Sequence, residues 1–166
     1  MELQSERLLI REIVDEDLLD FYEIYSNPNV TASSGFYPIG TYSQASDYIN
    51  LFKGTSNFGV ILKSENKLIG VIGYENDDEI IISYLLNQSY WGNGYATEAL
   101  NLLLQYMKKL GYNHILADCF IDNLASEKVL KKCGFQYLNN YKRIYSSLNN
   151  EEKTCKLFQI NNTNSL

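Results

Sequence analysis

Hydrophobic positions along the 166-residue chain switch repeatedly between a period of two and a period near 3.6, and the switches mark out its elements. Leu3 to Glu12 (LQSERLLIRE) is apolar and extended, which predicts a first strand. Asp15, Glu16 and Asp17 then place three carboxylates where the positive end of a helix dipole favours them. Leu18, Leu19, Phe21, Tyr22 and Tyr25 follow at helical spacing, and Asn27-Pro28 stops that helix. Val30 to Thr41, punctuated by Gly35, Pro38 and Gly40, reads as a loop, and Ser43 to Phe52 as a short helix. Phe58 to Lys63 and Lys67 to Glu75 are β-branched runs joined by Ser64-Glu65-Asn66, a hairpin pattern, and Glu79 to Asn87 is a further strand. Ala96, Ala99, Leu100, Leu103, Leu104, Met107 and Leu110 share one helical face that Gly111 ends. His114 to Phe120 is a strand, and Asn123 caps a helix carrying Ala125, Val129, Leu130 and Cys133, closed by Gly134 with Phe135 folding back. Gln136 to Ser146 and Lys153 to Ile160 form a last strand pair across Asn149-Asn150. Strands alternating with helices predict a sheet covered by helices.

Composition narrows the picture. Residues 1–160 have the length of one domain, with no repeat or linker, and 161–166 (NNTNSL) reads as a flexible tail. Fourteen Lys+Arg against twenty Asp+Glu give a net charge of −6, which argues against nucleic-acid or anionic-membrane partners. No apolar stretch approaches the ~18 residues of a membrane span, and MELQSERLLI lacks a signal-peptide layout. Cys119, Cys133 and Cys155 have no metal-ligand or disulfide spacing and His114 is the sole histidine, so the expectation is a reduced, cytoplasmic protein with no metal. His114, between a helix end and a strand, fits a structural role better than a catalytic base, and Cys133 fits the core.

The most informative stretch is EIIISYLLNQSYWGNGYATEAL, residues 79–100, where a strand runs through Gly92-Asn93-Gly94 straight into a helix. Glycines let the backbone approach a ligand, and the first-turn N–H groups of a helix have no partners within it. Together they suit a phosphate or diphosphate; a tight turn using glycine only for its geometry is the plainer alternative. A P-loop is excluded because no Gly-Lys pair is near, and the third glycine of a dinucleotide-binding fingerprint is replaced by Thr97.

WGNGYATEAL, followed by DNLASEKVLKKCGF (Asp122 to Phe135), resembles the acyl-CoA-binding core of the GNAT N-acetyltransferase superfamily. The opening SERLLIREIVDEDLLDFYEIYSNPNV resembles its RimJ/RimL-type branch, which acetylates ribosomal-protein N-termini. The resemblance implies an α+β fold: a mixed, largely antiparallel sheet of six to seven strands, helices on both faces and a splayed cofactor-binding strand. It implies acetyl-CoA as co-substrate: the family's glycine motif falls on Trp91, Gly92, Asn93, Gly94, Tyr95 and Ala96, and backbone amides from about Gly92 to Thr97 would hold the diphosphate. Trp91 stands where the family pattern has Arg or Gln. Tyr84, Leu85 and Leu86 match the strand that pairs with the pantetheine arm, and a backbone N–H near Leu86 matches the oxyanion donor. Asn123 matches the helix-opening asparagine that contacts CoA, a role compatible with a plain cap.

Transfer to an amine also needs a neutral nucleophile and a proton for the leaving thiolate. Glu75, ending the strand beside the cofactor strand, is the candidate base, against the alternative of a solvated carboxylate. The tyrosine that many relatives place seven residues after the asparagine is Leu130 here. Ser126, three residues after it, matches the acid of the RimJ/RimL-type branch and equally suits a helix cap. Tyr37, Tyr42 and Tyr145 are candidates to line an acceptor cleft, bordered by the loop from Asn29 to Thr41. The implied activity is direct N-acetylation of a primary amine, a protein or peptide α-amine first, by a monomer or homodimer. The alternatives are a small amine (polyamine, amino acid or aminoglycoside), or a CoA-binding regulatory module, which the missing tyrosine at Leu130 keeps open.

Overall fold

The computed structural model describes residues 1–161. Asn161, expected to open the tail, closes the last strand instead, and the rest of the expected tail lies outside the described residues. The chain runs β1 (Leu3–Gln4), β2 (Leu8–Arg11), α1 (Leu18–Tyr25), α2 (Pro28–Thr31), α3 (Tyr42–Phe52), β3 (Asn57–Leu62), β4 (Lys67–Asn76) and β5 (Ile80–Leu86). It continues α4 (Tyr95–Lys109), β6 (His114–Phe120), α5 (Leu124–Lys132), β7 (Gln136–Tyr145) and β8 (Glu151–Asn161). The strands form one sheet in the order β1-β2-β3-β4-β5-β6-β8-β7, antiparallel throughout except for β5 beside β6.

This is the expected α+β architecture with eight strands instead of six to seven. The extra strand arises because Leu3 to Glu12 is not continuous. Ser5 N–H donates to Leu8 C=O (2.9 Å) and Leu8 N–H to Ser5 Oγ (3.0 Å), folding Leu3 back opposite Ile10. A serine hydroxyl offering a local hydrogen bond competes with the ladder, and the apolar pattern does not register it. The expected loop from Val30 is likewise shortened by α2: Asn27 Oδ1 accepts from Asn29 N–H (2.9 Å), and Pro28, which ends α1, also opens the next turn. Of the three early carboxylates, Asp17 turns inward onto Arg11 (2.8 and 2.9 Å).

Helices cover both faces. Leu100, Leu103 and Met107 of α4 and Leu130 of α5 bury against Ile82, Ala117 and Phe158. On the other face Phe21 and Ile24 of α1 and Ile49 of α3 bury against Ile61, Leu68 and Val71, with Phe21 stacked on Tyr25 at 4.3 Å. The tip of the β7–β8 hairpin reaches this second face, where Ser147 Oγ donates to Gly35 C=O (2.6 Å).

The parallel pair is short. β5 and β6 are in register only at Ile81↔Leu116 and Ile82↔Ala117, while β5 stays paired with β4 as far as Leu86↔Gly70. Past Ile82 the sheet opens. Gly70 fixes where β5 runs, because a Cβ there would lie 2.6 Å from Leu85 O and 2.2 Å from Leu86 Cδ2. Gly70→Ala therefore displaces the end of β5. Urea denaturation should show a loss of about 1–3 kcal/mol, with the largest amide shifts in NMR spectra at Leu85 and Leu86.

Candidate active site

The opening exposes peptide groups. Asn87 N–H donates to Ile69 C=O (2.8 Å), and orientation alternates along a strand, so Tyr84 and Leu86 turn their N–H and C=O away from β4 and into the gap. Trp91 Nε1 donates to Leu86 C=O (2.9 Å), which leaves the Leu86 N–H facing the opening.

Directly ahead of this strand end lies the start of α4. Gly94 is its N-cap in left-handed conformation (φ 81°), with no side chain capping the helix. The first intrahelical bond is made by Glu98 N–H (to Gly94 C=O, 3.0 Å), so the N–H groups of Tyr95, Ala96 and Thr97 point forward without partners among the described residues. Gly92 also has positive φ (78°), and a Cβ built there meets nothing within 4 Å. Backbone conformation, not crowding, demands glycine at that position, and open space in front of it is what a ligand needs. A groove of about 470 Å³ continues from here, lined by Ser5, Gly94, Thr97, Asn101, Gln105 and Lys132.

The loop is clamped from outside. Arg7, presented by the turn between β1 and β2, donates to Asn93 C=O (3.1 Å), pairs with Glu98 and lies over the Tyr95 ring at 4.5 Å. Buried Asn87 takes Ser89 N–H on Oδ1 (3.0 Å) and donates to Glu23 (2.9 Å), tying the segment to α1. Arg7 and Asn87 carry no sequence signal for this role, because the β1–β2 turn that delivers Arg7 is invisible in the apolar pattern.

On the α5 side of the gap, Asn123 Oδ1 caps Ser126 N–H (3.1 Å), leaving the Ser126 hydroxyl to pair with Tyr84 Oη at 2.8 Å. Burial pushes the Tyr84 phenol well above the usual tyrosine range. Leu130 is fully buried in the α4–α5 core, so no phenol comes from that position. Tyr84 delivers one from β5 to the same helix start.

The opposite face holds Glu75, Asp118, Tyr141, Arg143 and Tyr145. Glu75 is exposed and lies 3.8 Å from Arg143 Nη2. Arg143 Nη1 donates to Asp118 Oδ2 (3.3 Å), Tyr141 Oη donates to the same oxygen, and the guanidinium sits 5.0 Å from the Tyr145 ring centre. Tyr145 in turn packs against Gly35, so the expected border loop and this tyrosine do meet, whereas Tyr42 packs at a tilt against Tyr22 (4.3 Å between ring centres). His114 is exposed, 3.1 Å from Gln159 Oε1, at the end of β6 away from the opening. Asp118, Tyr141 and Arg143 were missed because each sits in an ordinary strand, and only the β6–β8–β7 register gathers them. Among the described residues no group of three His, Cys, Asp or Glu could hold a metal, and no helix is long and apolar enough to cross a membrane.

The model of the acetyltransferase (GNAT) domain matches residues 7–136. The chain belongs to the GNAT acetyltransferase family. Among similar proteins, the uncharacterized N-acetyltransferase YnaD of Bacillus subtilis is 33% identical over 151 residues, covering 86% of this chain and 87% of that protein. The ribosomal protein uS5-alanine N-acetyltransferase of Escherichia coli is 26% identical over 151 residues, covering 81% of this chain and 77% of its own. A crystal structure of a GNAT-family acetyltransferase from Bacillus anthracis superposes with a TM-score of 0.87 at 27% identity, covering 98% and 99% of the two chains.

Within this GNAT chain the thiols are poorly placed to act. Burial pushes Cys119 and Cys133 up to about 11, and Cys133 Sγ is turned to Thr97 C=O at 3.6 Å. A raised thiol pKa means little thiolate, roughly one part in a thousand at pH 8. Alkylation of both cysteines by iodoacetamide, followed by mass spectrometry, should be about a hundredfold slower in the native protein than in urea at pH 8. It should accelerate as pH rises toward 11.

Proposed function

We propose that this GNAT acetyltransferase moves the acetyl group of acetyl-CoA directly to a primary amine, with a protein or peptide N-terminal α-amine as the acceptor class. One observation carries the reading: the unpaired peptide edge of β5 at Tyr84 and Leu86 leads straight to the uncapped start of α4. The first feature suits an amide-bearing pantetheine arm, and the second suits a diphosphate. In this assignment the N–H groups from Gly92 to Thr97 hold the diphosphate. Tyr84, Leu85 and Leu86 carry the arm along the strand, and the Leu86 N–H, with its carbonyl already occupied by Trp91, donates to the oxyanion. Asn123 holds the α5 start in place while Ser126, fed by the Tyr84 hydroxyl, protonates the leaving thiolate.

The acceptor class follows from the cost of a neutral nucleophile. An α-amine, with a pKa near 7.7–8.0, costs roughly 1–1.4 kcal/mol to neutralise at pH 7, against roughly 4–5 kcal/mol for a lysine-like amine. Glu75 is exposed and bound to Arg143, surroundings that fit a weak, water-linked base and so the less demanding amine. Similarity to the uS5-alanine N-acetyltransferase points the same way.

Trp91 is the only tryptophan, is half exposed and borders Gly92, so its fluorescence reports on the loop. Titration with coenzyme A should change that fluorescence saturably, and thiol release from acetyl-CoA should depend on added N-terminal peptide amines; no association with CoA or its esters overturns the proposal. Ser126→Ala should lower turnover about a hundredfold while leaving the acetyl-CoA dissociation constant unchanged.

A further inference from the structure

The sheet parts immediately after Ile82 and Ala117, and both of these side chains face the α4 core. Side chains alternate along a strand, so the next residues, Ser83 and Asp118, face the opposite side at the root of the opening. Ser83 is exposed, so the sheet is uncovered at that point. Asp118 is only 12% exposed. Its Oδ2 accepts from both Tyr141 Oη and Arg143 Nη1, while its Oδ1 has no hydrogen bond among the described residues. Burial, and then the hydrogen bond to Asp118, push the Tyr141 phenol upward, which keeps it a donor to the carboxylate. Around this carboxylate stand one guanidinium, one further carboxylate (Glu75) and the Tyr145 ring that closes against Gly35.

We infer that Asp118 is the acceptor-binding residue: its free Oδ1 takes an N–H of the incoming amine at the root of the β5–β6 opening, on the face away from α5. Tyr141 and Arg143 are positioning residues that saturate Oδ2 and leave one oxygen and one direction for the substrate. The inference rests on the acetyl transfer proposed above and adds the group that selects the acceptor. Two carboxylates against one guanidinium leave the cleft with a net negative charge. It therefore favours an amine with no carboxylate beside it, such as a peptide N-terminus, over a free amino acid. In the transfer, the amine nitrogen bonds to the acetyl carbon as the C–S bond breaks. The sulfur leaves as thiol, and the proton that the ammonium sheds passes to solvent.

The test compares alaninamide with free alanine as acceptors, with kcat/KM expressed per neutral amine so that their different basicities cancel. The wild-type protein should prefer alaninamide by about tenfold or more. Asp118→Asn should lose roughly 10- to 100-fold in kcat/KM for alaninamide and most of the preference, at an unchanged acetyl-CoA dissociation constant read from Trp91 fluorescence. Because Asp118 also holds Arg143, melting temperatures are measured alongside. Asp118→Glu, which keeps the charge, should recover part of the activity lost in Asp118→Asn; equal losses in both variants with lowered melting temperatures would mean a structural role and overturn the assignment. An Asp118→Asn protein with wild-type kcat/KM, or a wild type indifferent between the two acceptors, also overturns it while leaving acetyl transfer intact. A wild type that neither binds acetyl-CoA nor releases thiol with any amine defeats both readings.

Discussion

A parallel strand pair that ends after two residue pairs leaves peptide groups inside a protein with nothing to bond, and such groups must find partners elsewhere. In this chain the pair is β5 and β6. β5 cannot swing over to close the gap because its other edge is held by β4 through Leu86, with Gly70 fitted closely beneath that last residue. β6 cannot follow β5 because its other edge is bound to β8 along its whole length, from His114 to Phe120. Each strand is thus committed to its outer neighbour, and the opening between them is a consequence of the sheet's pairing. Leu86 C=O is satisfied by the Trp91 indole, and the N–H groups that remain are available to a substrate that carries its own amides.

Fixed donors are worth most when nothing has to reorganise to present them. The Gly92–Thr97 turn meets that condition through contacts on its outer side: Arg7 on Asn93 C=O, and Asn87 between Ser89 and Glu23. Arg7 has a second effect. Glu98 lies in the first turn of α4, where its charge would compete with an anion for the same end of the helix dipole. Hydrogen bonds from Ser5 and Arg7 outweigh the burial that would favour its neutral form and hold its carboxyl below the usual range. The guanidinium balances that charge locally, so the proposed diphosphate would meet a donor-rich turn without net local charge in a protein of net charge −6. At physiological salt, screening over about 8 Å blunts the remaining long-range repulsion.

Features encoded within ten or so residues were legible in the sequence, and features created by register were not. The α4 stripe from Ala99 to Met107, the Gly92 and Gly94 turn, the Asn123 cap and the Gly134 ending each depend on neighbours in the chain and appear where the spacing puts them, whereas Leu110, expected on the same stripe, follows the helix end and is exposed. The break at Ser5 escaped because a hydroxyl's local hydrogen bond leaves no trace in an apolar pattern. Ser126 was legible as a candidate, but its partner was not: Tyr84 lies 42 positions away on β5 and meets it only through the packing of the fold. The cluster of Asp118, Tyr141 and Arg143 was hidden for the same reason, since β7 reaches β6 only across β8.

The two sides of the opening differ in a way that bears on the order of chemical events. Toward α5 stand a hydroxyl pair, Ser126 and Tyr84, able to give a proton but poor at holding charge. Toward the α1–α3 face stand carboxylates and a guanidinium, suited to an ammonium and poor at giving protons. A cysteine acyl-enzyme would need a thiolate within the gap, and the thiols of Cys119 on β6 and Cys133 at the end of α5 are buried, which raises their pKa to about 11. With hydroxyl donors on one side and charged groups on the other, the proposed reaction has thioester and amine present together, each entering from its own face. A single direct displacement through the parted strands is the chemistry that this division of side chains supports.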